Sequence, residues 1–165
     1  CPSDELEFEE ESSESDEQVR CWTGEAVITG PGDYGDLKVP FVVHAVGPNY
    51  WNYDVNHGNE LLTLAYTESL NVASKHPEIT EIAFSLLSAG IFRGRCKLSS
   101  ILLLGMQALV HWEPPKASKV NKIYVCGFTE QECKLLVRIG DHLLKRPTPI
   151  PESSKVDVSE QKEVE

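Results

Sequence analysis

Phe84-Ser85-Leu86-Leu87-Ser88-Ala89-Gly90-Ile91-Phe92-Arg93-Gly94-Arg95 carries the chain from an apolar strand pattern, through a loop of small residues, towards a long apolar helix. Ser88, Ala89 and Gly90 have little side-chain bulk, so backbone N–H groups in this loop can approach an anion such as phosphate closely. Ile91 and Phe92 follow at once and are placed to cover a sugar beside that anion. Ser, Ala and Gly also build ordinary tight connections, so the stretch acquires meaning only from its flanks.

Those flanks alternate in period. Ile79 to Phe84 reads as a strand, and Lys97 to Trp112 as a helix apolar on nearly every side, which implies burial in a packed layer. Pro114-Pro115 ends that helix. Val120 to Cys126 is a further strand, followed by Gly127-Phe128 and by the capping box Thr129-Glu130-Gln131-Glu132 of a helix reaching about Leu144. Leu135, Leu136, Ile139 and Leu143 form the inner face of that helix.

Upstream, Leu62, Ala65, Tyr66, Ser69, Leu70 and Ala73 recur at helical spacing, with Asn59 as the expected N-cap. Before it lie two strands, one entered from Trp22 and ending at Thr29, the other from Lys38 to Val46. The run Phe41 to Val46 is nearly continuous in apolar character, as in a strand covered on both faces. The order strand, strand, helix, strand, helix, strand, helix predicts an α/β fold with a mostly parallel sheet. Ligands in such folds bind at the carboxyl ends of strands, where the Ser85 to Arg95 loop and Gly127-Phe128 both fall.

The chain has 165 residues, 41% of them hydrophobic, enough for one sizeable core. Its net charge of -11 belongs to the ends. Residues 1–19 and 146–165 read as disordered tails around a domain at 20–145, and between Arg20 and Arg146 the 13 basic and 12 acidic residues nearly cancel. This balance argues against an extended nucleic-acid surface. Five cysteines at irregular spacing give no disulfide framework and imply reduced thiols, hence an intracellular, cytoplasmic or nuclear location.

Neither a membrane span nor a metal site is expected. No apolar run reaches the roughly 20 residues that a span needs. His57 stands without a cysteine or carboxylate at ligand spacing, and His44 reads as a packed residue bonding a backbone group. The first residue is Cys1, as in a processed product, an excised segment or a fragment of a longer reading frame.

Thr23-Gly24-Glu25-Ala26, then Val43-His44-Ala45-Val46-Gly47-Pro48, then Ala83-Phe84 with Ser88-Ala89-Gly90-Ile91-Phe92 stand in one order with consistent separations. Together with the Glu60 to Leu70 helix they resemble a macrodomain, the module that binds ADP-ribose. The resemblance runs from about Cys21 to Leu144 and implies a three-layer α/β/α fold on a mixed, mostly parallel sheet, truncated at its N-terminus. It implies a ligand site at Ser88, Ala89, Gly90, Ile91, Phe92 and Phe128, with ADP-ribose or an ADP-ribosylated protein as partner and no cofactor.

The resemblance also implies what this sequence lacks. The family's opening strand with its acidic adenine reader has no counterpart, nor has the following strand with its Asn-rich end and Gly-rich loop. The family's usual proline and threonine are replaced by Ser85 and Ala89, and Arg93-Gly94-Arg95 stands where Gly, an aromatic and Pro usually follow. Three functions therefore remain open on the sequence. They are an ADP-ribose binder weakened or silenced by truncation, an ADP-ribosyl-protein hydrolase in a longer parent, and a degenerate interaction protein.

Overall fold

The computed structural model describes residues 21–145, and the two segments read as tails lie outside the described residues. In chain order the elements are β1 (Ala26–Thr29), β2 (Val42–Ala45), α1 (Val55–Ser74), β3 (Glu81–Ser85), α2 (Leu98–Val110), β4 (Lys122–Cys126) and α3 (Glu130–Leu143). A single 3₁₀ turn, Ile91–Arg93, lies between β3 and α2.

The fold is α/β, as the element order predicts. Pairing among the described residues departs from a mostly parallel sheet, because the four strands form two separate pairs. β1 and β2 are antiparallel, with Ala26 opposite Ala45 and Thr29 opposite Val42. β3 and β4 are parallel, with Glu81 beside Lys122 and Ser85 beside Cys126. The connection supplies the reason: the first pair is joined by a turn-rich return, the second by a crossover through α2.

α1 forms where the apolar spacing places it, but it begins earlier than Asn59. Asp54 is the N-cap, its carboxylate accepting from the Asn56 and His57 amides at 3.0 and 3.1 Å. An ionised carboxylate is a better acceptor for those two orphan donors than an amide side chain one turn later. Asn59 instead lies within the helix and accepts from the Tyr50 hydroxyl at 3.0 Å. Leu62 and Leu70 are fully buried on the inner face of α1. Each such side chain stabilises the fold by roughly 1.5–3 kcal/mol.

Two clusters make up the core of the described residues. The larger joins Tyr66 and Leu70 of α1, Phe84 of β3, Ile101 and Leu109 of α2 and Leu136 of α3. The smaller surrounds Ala73, Ile79 and Val120, with Ile28, Phe41 and Val43 tying the first strand pair to the rest. α2 buries Ile101, Leu102 and Leu109 but leaves Val110 exposed, so it is covered on one side rather than all round.

β2 is shorter than the apolar run suggests, and it is not covered on both faces. His44 is exposed, with Nε2 2.9 Å from Thr29 Oγ1, so it bonds a side chain on the neighbouring strand rather than a backbone group. The β3–β4 pair also shows strand alternation. Ile82, Phe84, Ile123 and Val125 turn inward, whereas Glu81, Ala83, Ser85, Lys122, Tyr124 and Cys126 lie on an open face. Lys122 Nζ and the Tyr124 hydroxyl both donate to the Glu81 carboxylate, at 2.7 and 3.0 Å, and the lysine contact holds Glu81 below the usual carboxylate range.

Candidate functional site

β3 delivers the chain to its loop at Ser85. Leu86 and Leu87 pack against the larger core cluster, and the Leu87 N–H donates to the Tyr66 hydroxyl at 3.0 Å. Burial raises the Tyr66 pKa. Its ring is tilted against Phe84 at 5.4 Å between centroids and lies over Gly105 of α2, where an added Cβ would meet it at 2.6 Å. The first turn of the loop is thus seated on the interior.

Ala89 is buried at 5% exposure and pins the middle of the loop inward. Ser88 on its N-terminal side adopts the left-handed region at φ 52°, which costs a non-glycine residue energy unless its surroundings fix it. A hydrogen bond from Ser88 Oγ to the Pro48 carbonyl, at 2.7 Å, fixes it here. The Arg93 N–H then donates to the Gly90 carbonyl at 3.2 Å and closes the 3₁₀ turn.

Between those anchors the backbone is open. Among the described residues, no acceptor receives the N–H groups of Ser88, Ala89, Gly90, Ile91 or Phe92. A Cβ added at Gly90 would have no atom within 4 Å, so the space over the loop is clear. Ile91 and Phe92 flank that space with exposed side chains, at 81% and 53%. Successive unpaired amides with a clear approach suit an anion chemically.

A second segment, Gly47 to Trp51, holds the loop from outside. The Tyr50 N–H donates to the Phe92 carbonyl at 2.8 Å, and Trp51 Nε1–H donates to the Ile91 carbonyl at 3.3 Å. Gly47 is required at this approach, because a Cβ there would stand 2.5 Å from Ser88 Oγ. Burial, with a smaller contribution from Cys96, pushes the Tyr50 hydroxyl up to about 12. Its ring packs against Gly58, its Cβ and carbonyl group lie against Gly94, and Gly94 itself turns the chain at φ 58°.

The other strand-end loop differs. Ser85 and Cys126 are register partners, so Gly127 and Phe128 leave the same end of the parallel pair. The expected capping box is present there. Glu132 accepts from both the Phe128 and Thr129 N–H groups at 2.8 Å, while Thr129 Oγ1 accepts from the Glu132 N–H at 3.2 Å. These bonds, led by the Thr129 amide, hold the Glu132 pKa below its usual value. The Phe128 ring is 98% exposed.

Ser88 to Phe92 therefore share one loop, and Phe128 stands on the neighbouring strand end. Tyr50, Trp51 and Tyr66, which position the loop, carry no signal at that role in the sequence. Gly47-Pro48 reads there as part of the block that carries the resemblance, not as a clamp on the β3 loop. Among the described residues, no three His, Cys, Asp or Glu side chains gather for a metal ion. Cys21, Cys96, Cys126 and Cys133 are free thiols. No helix of the described residues is long and apolar enough to cross a membrane.

Three shallow concavities lie elsewhere, of about 370 Å³ on α3, 440 Å³ between Gly24 and Leu64, and 340 Å³ between the start of α1 and α2. None of these three is lined by Ser88 to Phe92. The loop is an exposed cradle rather than a closed pocket.

Comparison with known proteins gives a consistent family. The Macro domain profile matches residues 5–100. A Macro domain-containing protein of Cupriavidus necator is 43% identical over 77 residues, covering 47% of this chain and 42% of that protein. A Macro domain-containing protein of Listeria monocytogenes is 32% identical over 116 residues, covering 70% of this chain and 62% of that protein. A mutant Oceanobacillus iheyensis macrodomain with ADPR superposes with a TM-score of 0.63 at 22% identity, over 75% of this chain and 62% of that one. The chain thus spans about two-fifths to three-fifths of the length of these relatives.

Proposed function

The chain belongs to the Macro domain family, and from that premise we propose that the Ser88 to Phe92 backbone binds the diphosphate of ADP-ribose, free or attached to a protein. Phe92 covers a ribose, and Phe128 lines the adenine end. The carrying observation is the row of five N–H groups without an acceptor among the described residues, on a loop anchored at both ends by side-chain and backbone bonds. A relative of the same fold is described with ADPR. The free thiols support an intracellular setting.

The proposal is binding without hydrolysis. The Ser88 hydroxyl is committed to the Pro48 carbonyl, and Ala89 offers no hydroxyl, so neither side chain is placed to activate water. Affinity is weak on this reading. Charge-assisted bonds contribute about 1.5–3 kcal/mol each before association entropy is subtracted, and an exposed loop with clear space above Gly90 leaves much of a ligand in water. We expect a Kd no better than about 1 mM, equivalent to about -4 kcal/mol.

Calorimetric titration with ADP-ribose tests this, with circular dichroism as the check on folding. Millimolar binding is expected for the native chain, and none detectable for Gly90→Val, whose side chain enters the open space above the amides. Micromolar binding unaffected by Gly90→Val would overturn the site.

A further inference from the structure

Beside the amide cradle lies a pair of side chains that the loop reading leaves unused. Trp51 is 58% exposed, and its indole orientation is fixed by the Nε1–H bond to the Ile91 carbonyl. The Arg95 guanidinium carbon sits 5.8 Å from the centre of that ring. A cation over an indole face is attracted by the ring quadrupole. The contact holds Arg95 beside the loop without using its N–H donors, and among the described residues no acceptor or carboxylate pairs with them.

Arg93 is in a different position. Its Nη1 donates to the Cys96 carbonyl at 3.1 Å and helps close the turn, so its role is in the loop's own structure. The loop's own segment carries no negative charge. From Ile82 to Trp112 the sequence contains Arg93, Arg95 and Lys97 and no acidic residue. A planar guanidinium with free donors, backed by an aromatic ring, recognises phosphate bidentately.

We propose that Arg95 and Trp51 form a second phosphate subsite flanking the Ser88 to Phe92 loop, one that takes a phosphate group of its own, whether or not the amides hold another. The subsite itself rests on the Arg95–Trp51 geometry. Arg95 acts on that phosphate and Trp51 is its positioning residue, since the indole aims the guanidinium and is itself tied to the loop.

The experiment uses the full chain and nuclear magnetic resonance, with inorganic pyrophosphate and ADP-ribose as separate probes. Signals to follow are Arg95 Nε–H, Trp51 Nε1–H and the backbone amides of Ser88 to Phe92, with Arg138 Nε–H on the outer surface of α3 as the control. Pyrophosphate is expected to shift Arg95 and Trp51 saturably and to leave Arg138 in place. Arg95→Ala should weaken that response about tenfold, and Arg95→Lys should restore only part of it, because the charge returns without the planar fork.

The outcomes separate the two readings. Movement of Arg95 and Trp51 with pyrophosphate, together with loop amides that ignore ADP-ribose, supports the subsite and removes the loop reading. Loop amides that respond to ADP-ribose while Arg95 and Trp51 ignore pyrophosphate overturn the subsite and leave the loop reading standing. Equal shifts at Arg95 and Arg138, or equal recovery by lysine and arginine, also overturn it, since either would mean charge alone is at work.

Discussion

Two loops leave the same end of one parallel strand pair, and they treat their backbone amides in opposite ways. After β4, the amides of Phe128 and Thr129 both donate to the Glu132 carboxylate, so the protein supplies its own anion. After β3, the amides of Ser88 to Phe92 have no acceptor among the described residues, and the protein instead spends its side chains on holding the loop's outer edges. Strand-end position alone therefore does not make an anion site. What distinguishes the two is their place relative to the next helix: Thr129 is itself the N-cap of α3, so the Glu132 carboxylate folds back onto its amide and the one before it, whereas the Ser88 to Phe92 amides lie well before Lys97, the N-cap of α2.

The first way to break this contrast is to loosen the β3 loop. Tyr66→Phe keeps the buried ring but removes the hydroxyl that accepts from Leu87, leaving a half-buried N–H unpaired. A loss of about 1–3 kcal/mol is expected, read as a lower urea midpoint with unchanged slope. An unchanged midpoint would mean that Tyr66 does not anchor the loop.

A smaller effect should follow at the β4 loop. Thr129→Ala deletes one half of the capping box and should cost about 1 kcal/mol by the same urea measurement. ADP-ribose affinity should fall far less than in Gly90→Val, because the cap holds only Phe128 at the adenine end while the diphosphate sits on the β3 loop. A loss as large as that of Gly90→Val would place the diphosphate on the β4 loop instead.

The smallest effect is a pH response confined to that cap. Glu132 has a folded pKa depressed below 4.5 by the amides it accepts, so it binds fewer protons when folded than when unfolded. Its contribution is present above the unfolded pKa and is lost as pH falls through the folded value. Amide exchange at Phe128 and Thr129 should accelerate below about pH 4.5, relative to its intrinsic pH dependence, while that at Leu87 does not. Parallel acceleration at all three would indicate global acid unfolding rather than release of one cap.

Much of this was readable from residue order. The inner face of α1 follows from Leu62, Ala65, Tyr66 and Leu70, because a 3.6-residue period has one solution on a helix. The capping box of α3 follows from Thr129 and Glu132, since both partners lie within one turn. The loop from Ser85 to Arg95 is likewise local, being a change of period marked by small residues.

Other features depended on residues distant in sequence. The Asn59 side chain, inside α1 rather than at its cap, takes its partner from Tyr50, whose ring packs on Gly58. His44 lies exposed because its strand finds cover on one side only, a matter of what packs above it rather than of its own apolar neighbours. The clamp from Pro48, Tyr50 and Trp51 onto the β3 loop joins residues about forty positions apart, as Ser88 to Pro48 and Trp51 to Ile91 show. Periodicity and capping are short-range and are written into the sequence, whereas the pairing of a buried carbonyl with a distant hydroxyl is selected only when the whole chain has packed.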